Sequence, residues 1–340
     1  MKTCLIVGFG NIGQAVLSAL PDFTDFKCVG IISRDTGRTI HQVVKMGIKE
    51  KIPVYQLNSD EWKTVEADVA ILCGGSKNDL PIQGPLMAQY FNTICSFDTH
   101  AHVDDYIDKN GKPQRGYYHI MNMIATQYGH TVLVCQGWDP GVLSIMRILF
   151  TACMGGAVAE AFYGLEKKGG LSMGHSDALR TIPGVRDARQ YTHAKHDAIE
   201  LVRSGENPEL ELGDSHWREC IILAEEGADR DAIEKAVITM PDYYEPFDTT
   251  VRFVDEIEFN VSFKEDMPHD GIVVCTAPHG TMEYKNVWKS NPRGTAGIIL
   301  AFARATVRLS HKDDASGACT PANIPVVLLM ENTAQHLSKV

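Results

Sequence analysis

A chain of 340 residues with 44% hydrophobic side chains can bury a large core, and its length fits two domains. Its 43 acidic against 32 basic residues leave a formal net charge of −11, the wrong sign for the basic footprint that nucleic acid or an anionic membrane requires, so small molecules are the expected partners. No stretch is long and apolar enough to span a bilayer, and the N-terminus lacks the charged-then-apolar pattern of a signal peptide; both predict a cytoplasmic protein.

The first element is a short apolar strand, Met1 to Val7, that runs into Gly8-Phe9-Gly10-Asn11-Ile12-Gly13 and then a helix. As plain punctuation this would be only a glycine-rich turn, but after an apolar strand it reads as a dinucleotide-binding signature. Gly8 allows the tight turn, Gly10 lets a pyrophosphate approach the backbone, and Gly13 lets helix and strand pack closely, leaving free N–H groups aimed at the phosphates. Asn11 and Ile12 of the same turn join these glycines as cofactor-binding candidates.

The second apolar run, Phe26 to Ile32, ends in Ser33-Arg34 with Arg38 close behind, where an NAD enzyme usually places an acid. Asp35 comes one or two positions late. With no strand-end carboxylate to bond a ribose hydroxyl or repel a 2′-phosphate, NADP is favoured over NAD, and Ser33 and Arg34 are its expected contacts.

Further apolar strands follow, each ending in a polar loop: Val69 to Cys73 before Gly74-Gly75-Ser76, Asn92 to Cys95 before Ser96-Phe97-Asp98, and Thr131 to Val134 before Cys135-Gln136-Gly137. This repetition predicts an α/β, Rossmann-type doubly wound parallel sheet over 1–134, completed by 292–340, where Ala296 to Leu309 is apolar at helical spacing. Ligands of such sheets lie beyond the carboxyl ends of the strands, which makes Gly75, Ser76 and Asp98 candidates beside the cofactor, with Asp139 converging on them.

Residues 135–291 read as a second, α+β domain for substrate binding and dimerisation. Thr249 to Val254, Ile257 to Phe263 and Gly271 to Thr276 are β-branched and partly alternating, as in an antiparallel sheet, with helices expected at Asp177 to Ile182 and Asp229 to Thr239. Glu166-Lys167-Lys168-Gly169-Gly170 is the best candidate for a mobile loop. The nine cysteines are scattered without a CxxC pair and read as buried reduced thiols. His100 with His102, and His193 with His196, have spacings that suit zinc but no companion ligands, so no metal is expected.

Longer motifs carry a family resemblance. Gly137-Trp138-Asp139-Pro140-Gly141, Gly174-His175-Ser176-Asp177-Ala178-Leu179-Arg180, Ile182-Pro183-Gly184-Val185, Met240-Pro241-Asp242-Tyr243 and Met267-Pro268-His269 join the glycine-rich start, Ile32-Ser33-Arg34 and Ser96-Phe97-Asp98. With these the chain resembles the meso-diaminopimelate dehydrogenase family nearly from end to end. The resemblance implies NADP-dependent, reversible oxidative deamination of the D-centre of meso-2,6-diaminopimelate to L-2-amino-6-oxopimelate, ammonium and NADPH, in diaminopimelate and lysine biosynthesis; a homodimer is expected as the default closed assembly, with the sheet of the second domain as its face.

Such a substrate needs carboxylates for its amines and cationic or hydroxyl groups for its carboxylates. By the same resemblance Asp98 and Asp139 hold the reacting amine as the catalytic pair, Asp139 is the expected proton acceptor, and the backbone at Met173 and Gly174 holds the adjacent carboxylate. Trp138 and Tyr163 border the pocket, and Thr192, Arg218, His269 and Asn291 bind the remote L-centre. Departures lie at the pocket edge: Tyr163 stands where relatives usually have tryptophan, Met173 where they have glutamine, and the loop 164–170 is longer. Cys95 replaces a usual aspartate. They leave open a dehydrogenase of broader D-amino acid scope, while a non-catalytic nucleotide sensor on the same fold would have no use for Asp98, Asp139, Arg218 and His269 together.

Overall fold

The computed structural model describes residues 1–339 other than 49, 109, 207, 242, 266, 313 and 314. The chain divides into two compact units, Met1–Ser144 with Pro292–Val340, and Ile145–Asn291. Residues 135–144, assigned by the sequence reading to the second domain, therefore lie in the first unit.

The first unit holds strands β1 (Lys2–Val7), β2 (Phe26–Ser33), β3 (Val54–Gln56), β4 (Val69–Leu72) and β5 (Thr93–Cys95), then a small hairpin of β6 (Tyr106–Ile107) and β7 (Pro113–Gln114), β8 (Thr131–Leu133) and, near the C-terminus, β16 (Gly317–Cys319). All but the hairpin form a parallel sheet in the order β16-β8-β5-β4-β1-β2-β3. Leu5, Ile6, Val7, Ile31, Ile32, Ile71 and Leu72 are wholly buried, which is why these strands are continuous apolar runs and not alternating ones. Strand order reverses at β1, flanked by β2 and β4, and creates the crevice where doubly wound sheets bind ligands.

Four helices of this unit are α1 (Asn11–Ala19), α2 (Thr36–Lys45), α3 (Leu80–Met87) and α4 (Tyr117–Tyr128), the last ended by Gly129 at φ +75°. Helix α5 (Val142–Cys153) leads into the second unit, and α11 (Asn291–Ser310) returns from it. Arg304 of α11 grips both carboxylate oxygens of Asp25 at 2.7 Å, and Lys2 reaches the same carboxylate at 2.9 Å. These cations hold the Asp25 carboxyl far below the usual carboxylate range.

In the second unit β9 (Glu160–Tyr163), β14 (His269–Ala277) and β15 (Gly280–Trp288) form an antiparallel sheet in the order β15-β14-β9. Strands β10 (Gly170–Ser172), β11 (Val185–Ala194), β12 (His216–Ala224) and β13 (Asp248–Phe253) form another in that order. This corrects the expectation of antiparallel pairing throughout: β12 and β13 run parallel, joined by a crossover that contains α9 (Arg230–Ile238), capped by Asp229. The other helices are α6 (Met173–Leu179), which begins and ends earlier than the expected 177–182, α7 (His196–Ser204), α8 (Leu212–Ser215) and α10 (Glu256–Ser262).

Helix α10 replaces the strand expected at Ile257 to Phe263. Asp255 Oδ1 accepts the Glu258 N–H at 2.8 Å, and Glu256 and Glu258 lie in the first turn, where negative charge favours a helix. Phe259 and Phe263 then share a face four residues apart, with ring centroids 6.4 Å from each other, and Ile257 and Val261 are left exposed.

Candidate active site

In the first unit the glycine-rich turn is sterically dictated. Gly8 has φ +89°, and a Cβ on Gly13 would sit 2.1 Å from the Gly8 carbonyl oxygen, so only glycine allows α1 to pack on β1 this closely. A Cβ on Gly10, by contrast, would meet nothing within 4 Å. Gly10 is the N-cap of α1 and gives it no side-chain cap, and no acid lies in the first turn that Asn11 and Ile12 open. Open space in front of uncapped backbone N–H groups fits a phosphate.

At the carboxyl ends of β2, β4 and β5 the candidates are linked by hydrogen bonds. Asp79 accepts the Gly75 N–H at 3.0 Å and pairs with Arg34 at 3.2 Å, while Ser76 Oγ accepts the Asp98 N–H at 3.1 Å. The Arg34 side chain is 72% exposed, so its guanidinium remains open to a further anion. Asp35 is engaged elsewhere, its carboxylate accepting the Arg38 N–H at 2.9 Å as the N-cap of α2. Ser33 Oγ accepts from Thr39 at 3.0 Å.

Asp139 sits in a loop that two glycines make possible. Gly137 N–H donates to the Pro140 carbonyl at 2.9 Å, and a Cβ on Gly141 would lie 1.8 Å from the Gly137 oxygen. Gln136 N–H donates to the Cys95 carbonyl at 2.8 Å and ties this loop to the strand that leads to Asp98. Asp98 is exposed, Asp139 half-buried and Trp138 buried. The two aspartates thus extend from the ends of adjacent parallel strands, β5 and β8.

The remaining candidates lie in the second unit. Thr192 and Arg218 stand opposite each other on β11 and β12, and Arg218 Nη1 donates to Thr192 Oγ1 at 2.5 Å. Arg218 is only 9% exposed, and burial lowers its pKa to about 10. No carboxylate of the described residues pairs with it. Instead the Phe247 ring centroid lies 4.0 Å from its guanidinium carbon.

Tyr163 is fixed through His216, whose Nε2 accepts its backbone N–H at 2.9 Å and whose ring stacks on it at 5.0 Å, with Arg147 Nη2 reaching the phenol oxygen at 3.3 Å. Burial, reinforced by the positive charge of Arg218, pushes the His216 pKa down to about 3, so its imidazole is neutral. His269 is likewise pushed down to about 3 by burial, and a Cβ on Gly170 would come within 2.4 Å of its Nδ1. Asn291 donates to the Leu171 carbonyl at 2.9 Å, which joins β10 to the start of α11. Met173 and Gly174 open α6, where Ser172 Oγ meets His175 Nδ1 at 2.6 Å. The loop after Tyr163 is tied down, the Leu165 and Glu166 N–H groups donating to the buried Asp270 carboxylate at 2.7 and 3.1 Å.

Sequence reasoning did not single out Asp79, Gln190, His216 or Phe247. Gln190 and His216 had a signal, standing two residues before Thr192 and Arg218 on the same strand faces. Of the zinc candidates, His193 stacks on Trp217 and approaches Glu219 at 3.3 Å, and His102 stacks on Tyr106. The side chain of His100, like Asp242 of the Met-Pro-Asp-Tyr motif, lies outside the described residues. All nine cysteines are free, and Cys153 is exposed, contrary to the expectation of burial.

The meso-diaminopimelate D-dehydrogenase of Lysinibacillus sphaericus is 39% identical over 98% of this chain and 97% of its own. The chain belongs to the meso-diaminopimelate D-dehydrogenase family. The family model described as the diaminopimelic acid dehydrogenase C-terminal domain matches residues 137–289, which include Thr192, Arg218 and His269. Among solved structures, the DAP dehydrogenase of Corynebacterium glutamicum in complex with DAP superposes with a TM-score of 0.85 at 34% identity, covering 99% of this chain and 98% of that one. An engineered D-amino acid dehydrogenase bound to NADP+ gives a TM-score of 0.84 at the same 34% identity and the same coverage. Membership in the meso-diaminopimelate D-dehydrogenase family is therefore carried by both units.

Proposed function

We propose that this protein catalyses the reversible, NADP-dependent oxidative deamination of the D-centre of meso-2,6-diaminopimelate to L-2-amino-6-oxopimelate, ammonium and NADPH. The observation that carries the reading is Arg218, a buried guanidinium held by Thr192 and Phe247 with no carboxylate of the described residues to neutralise it. A buried cation of this kind is a receptor for an anion brought from outside. A substrate with an amino acid group at each end supplies it.

NADP, when bound, supplies the two-electron acceptor. Gly8, Gly10, Asn11, Ile12 and Gly13 would hold its pyrophosphate, Ser33 and Arg34 its 2′-phosphate, and Gly75, Ser76 and Asp98 would line the crevice. Asp98 and Asp139 hold the reacting ammonium, and Asp139 accepts the proton it must lose before its carbon becomes electron-rich enough to be oxidised. The backbone at Met173 and Gly174 binds the adjacent carboxylate. Trp138 and Tyr163 border the pocket, which admits the one water that supplies the keto oxygen as ammonium leaves, while Thr192, Arg218, His269 and Asn291 bind the L-centre, whose orientation fixes which carbon reacts.

The protein acts in the cytoplasm as a homodimer, the default closed assembly, with the second unit as its interface. Among the described residues no helix is long and apolar enough to cross a membrane. Tyr163 and Met173, where relatives usually have tryptophan and glutamine, favour a second reading, a broader D-amino acid scope at the same site.

The test is NADP reduction with the meso, LL and DD isomers of diaminopimelate side by side. Meso substrate should be oxidised at its D-centre and the LL isomer left untouched. Comparable turnover of LL would overturn the reading, and equal efficiency with simple D-amino acids would replace it by the broader one.

A further inference from the structure

Arg218 has five N–H donors, and Thr192 is the one acceptor they meet among the described residues. Its Nε is buried and meets no hydrogen-bond partner among the described residues. Idle donors on a buried cation are costly, so something must hold the group where it is. Phe247 covers its face with the ring centroid 4.0 Å from the guanidinium carbon. A face contact attracts the cation without consuming an N–H, which leaves the donors in the guanidinium plane available.

The second anchor is Gln190, wholly buried in β11. Its Nε2 donates to Thr192 Oγ1 at 3.2 Å, while Arg218 Nη1 donates to the same oxygen at 2.5 Å. A hydroxyl oxygen has two lone pairs and one proton. With the Gln190 amide in this orientation both lone pairs are taken, and the Thr192 proton is left to be donated. The surface formed by Arg218 and Thr192 is then donor-only, complementary to a carboxylate and mismatched to an ammonium.

We propose that Phe247 and Gln190 are positioning residues that preset Arg218 and Thr192 as a donor-only clamp for the remote carboxylate of the substrate. This rests on the two-ended substrate reading above, and the test separates the two. Steady-state kinetics with NADP and meso-diaminopimelate would compare Phe247→Leu and Gln190→Leu with Phe247→Tyr, which keeps the ring, and with Arg218→Met as the reference.

Phe247→Leu and Gln190→Leu should each raise the KM for diaminopimelate about fivefold to tenfold, with kcat and the KM for NADP within twofold of the parent. Phe247→Tyr should restore the parent KM. Gln190→Glu should be more harmful than Gln190→Leu, because its carboxylate would pair with Arg218 and turn the Thr192 proton inward. If Arg218→Met raises KM while Phe247→Leu does not, the proposal fails. It fails equally if kcat and both KM values move together, as a general scaffold defect would make them. An unchanged KM in Arg218→Met would instead overturn the two-ended substrate itself. Should the buried Gln190 variants not fold, half-buried Phe247 decides the matter alone.

Discussion

Thr192 and Arg218 face each other across neighbouring antiparallel strands, 26 residues apart in sequence, and their side chains join at 2.5 Å with no neutralising carboxylate among the described residues. A guanidinium so placed serves binding more than folding.

Arg218→Met should therefore raise the KM for meso-diaminopimelate by about tenfold to a hundredfold, the equivalent of about 1.5 to 3 kcal/mol for a charge-assisted bond, with a smaller effect on kcat. Thermal stability should stay level or rise, since replacing an uncompensated buried charge by an apolar chain of similar volume removes a desolvation cost. A marked fall in the melting temperature would identify Arg218 as a structural cation.

The Arg34–Asp79 pair is exposed on the arginine side and contributes at most about 1 kcal/mol to folding. Arg34→Ala should leave stability unchanged and weaken NADP by about tenfold or more, with NAD almost unaffected. Titration of both oxidised cofactors against the variant checks this. Equal losses for the two would remove Arg34 from 2′-phosphate recognition.

His216 supplies a pH dependence with a definite sign. Its folded pKa, lowered by burial and the Arg218 charge from 6.5 to about 3, means that between these values the unfolded chain binds a proton the folded protein refuses. Stability from this group is complete above pH 6.5 and is lost as pH falls towards 3, by roughly 2 kcal/mol at pH 5. In His216→Gln the amide oxygen still accepts the Tyr163 N–H while the titrating group is gone. The stability difference between pH 7 and pH 5, measured by denaturant unfolding, should shrink by about that amount.

The tight turns of the first unit were legible because their glycines answer steric questions that the local sequence poses by itself: Gly13 against the Gly8 carbonyl, Gly141 against the Gly137 carbonyl. Ile257 to Phe263 was misread because residues 257, 259, 261 and 263 are all apolar, a pattern that satisfies a period of two as well as a four-residue pairing of Phe259 with Phe263. The Asp255 cap decides between them. Spacing could flag Gln190 and His216 as strand neighbours of Thr192 and Arg218, but the roles of Gln190, His216 and Phe247 could not be found locally. What they do depends on which residue of β12 faces which residue of β11, and on a ring brought over Arg218 by the loop before β13. Register between strands is a tertiary property, and no spacing along the chain encodes it.

Asp139 and Asp98 can be separated by the same conservative change made at each. Asp139 stands in the loop closed by the Gly137 N–H to Pro140 bond, which uses main-chain atoms only, and the asparagine amide is isosteric with the carboxylate, so Asp139→Asn should keep the parent fold. Its amide keeps the shape of the carboxylate yet accepts no proton from the amine, and kcat should fall by about a hundredfold to ten-thousandfold, with KM changed far less. Asp98 is anchored by its backbone N–H to Ser76 Oγ at 3.1 Å, again independently of its side chain. Asp98→Asn should therefore act mainly on KM, through loss of one charge-assisted bond to the ammonium. Single-turnover measurements with saturating diaminopimelate read the chemical step directly. If Asp98→Asn slows that step and Asp139→Asn does not, the proton acceptor is Asp98, and Asp139 is the residue that holds the amine.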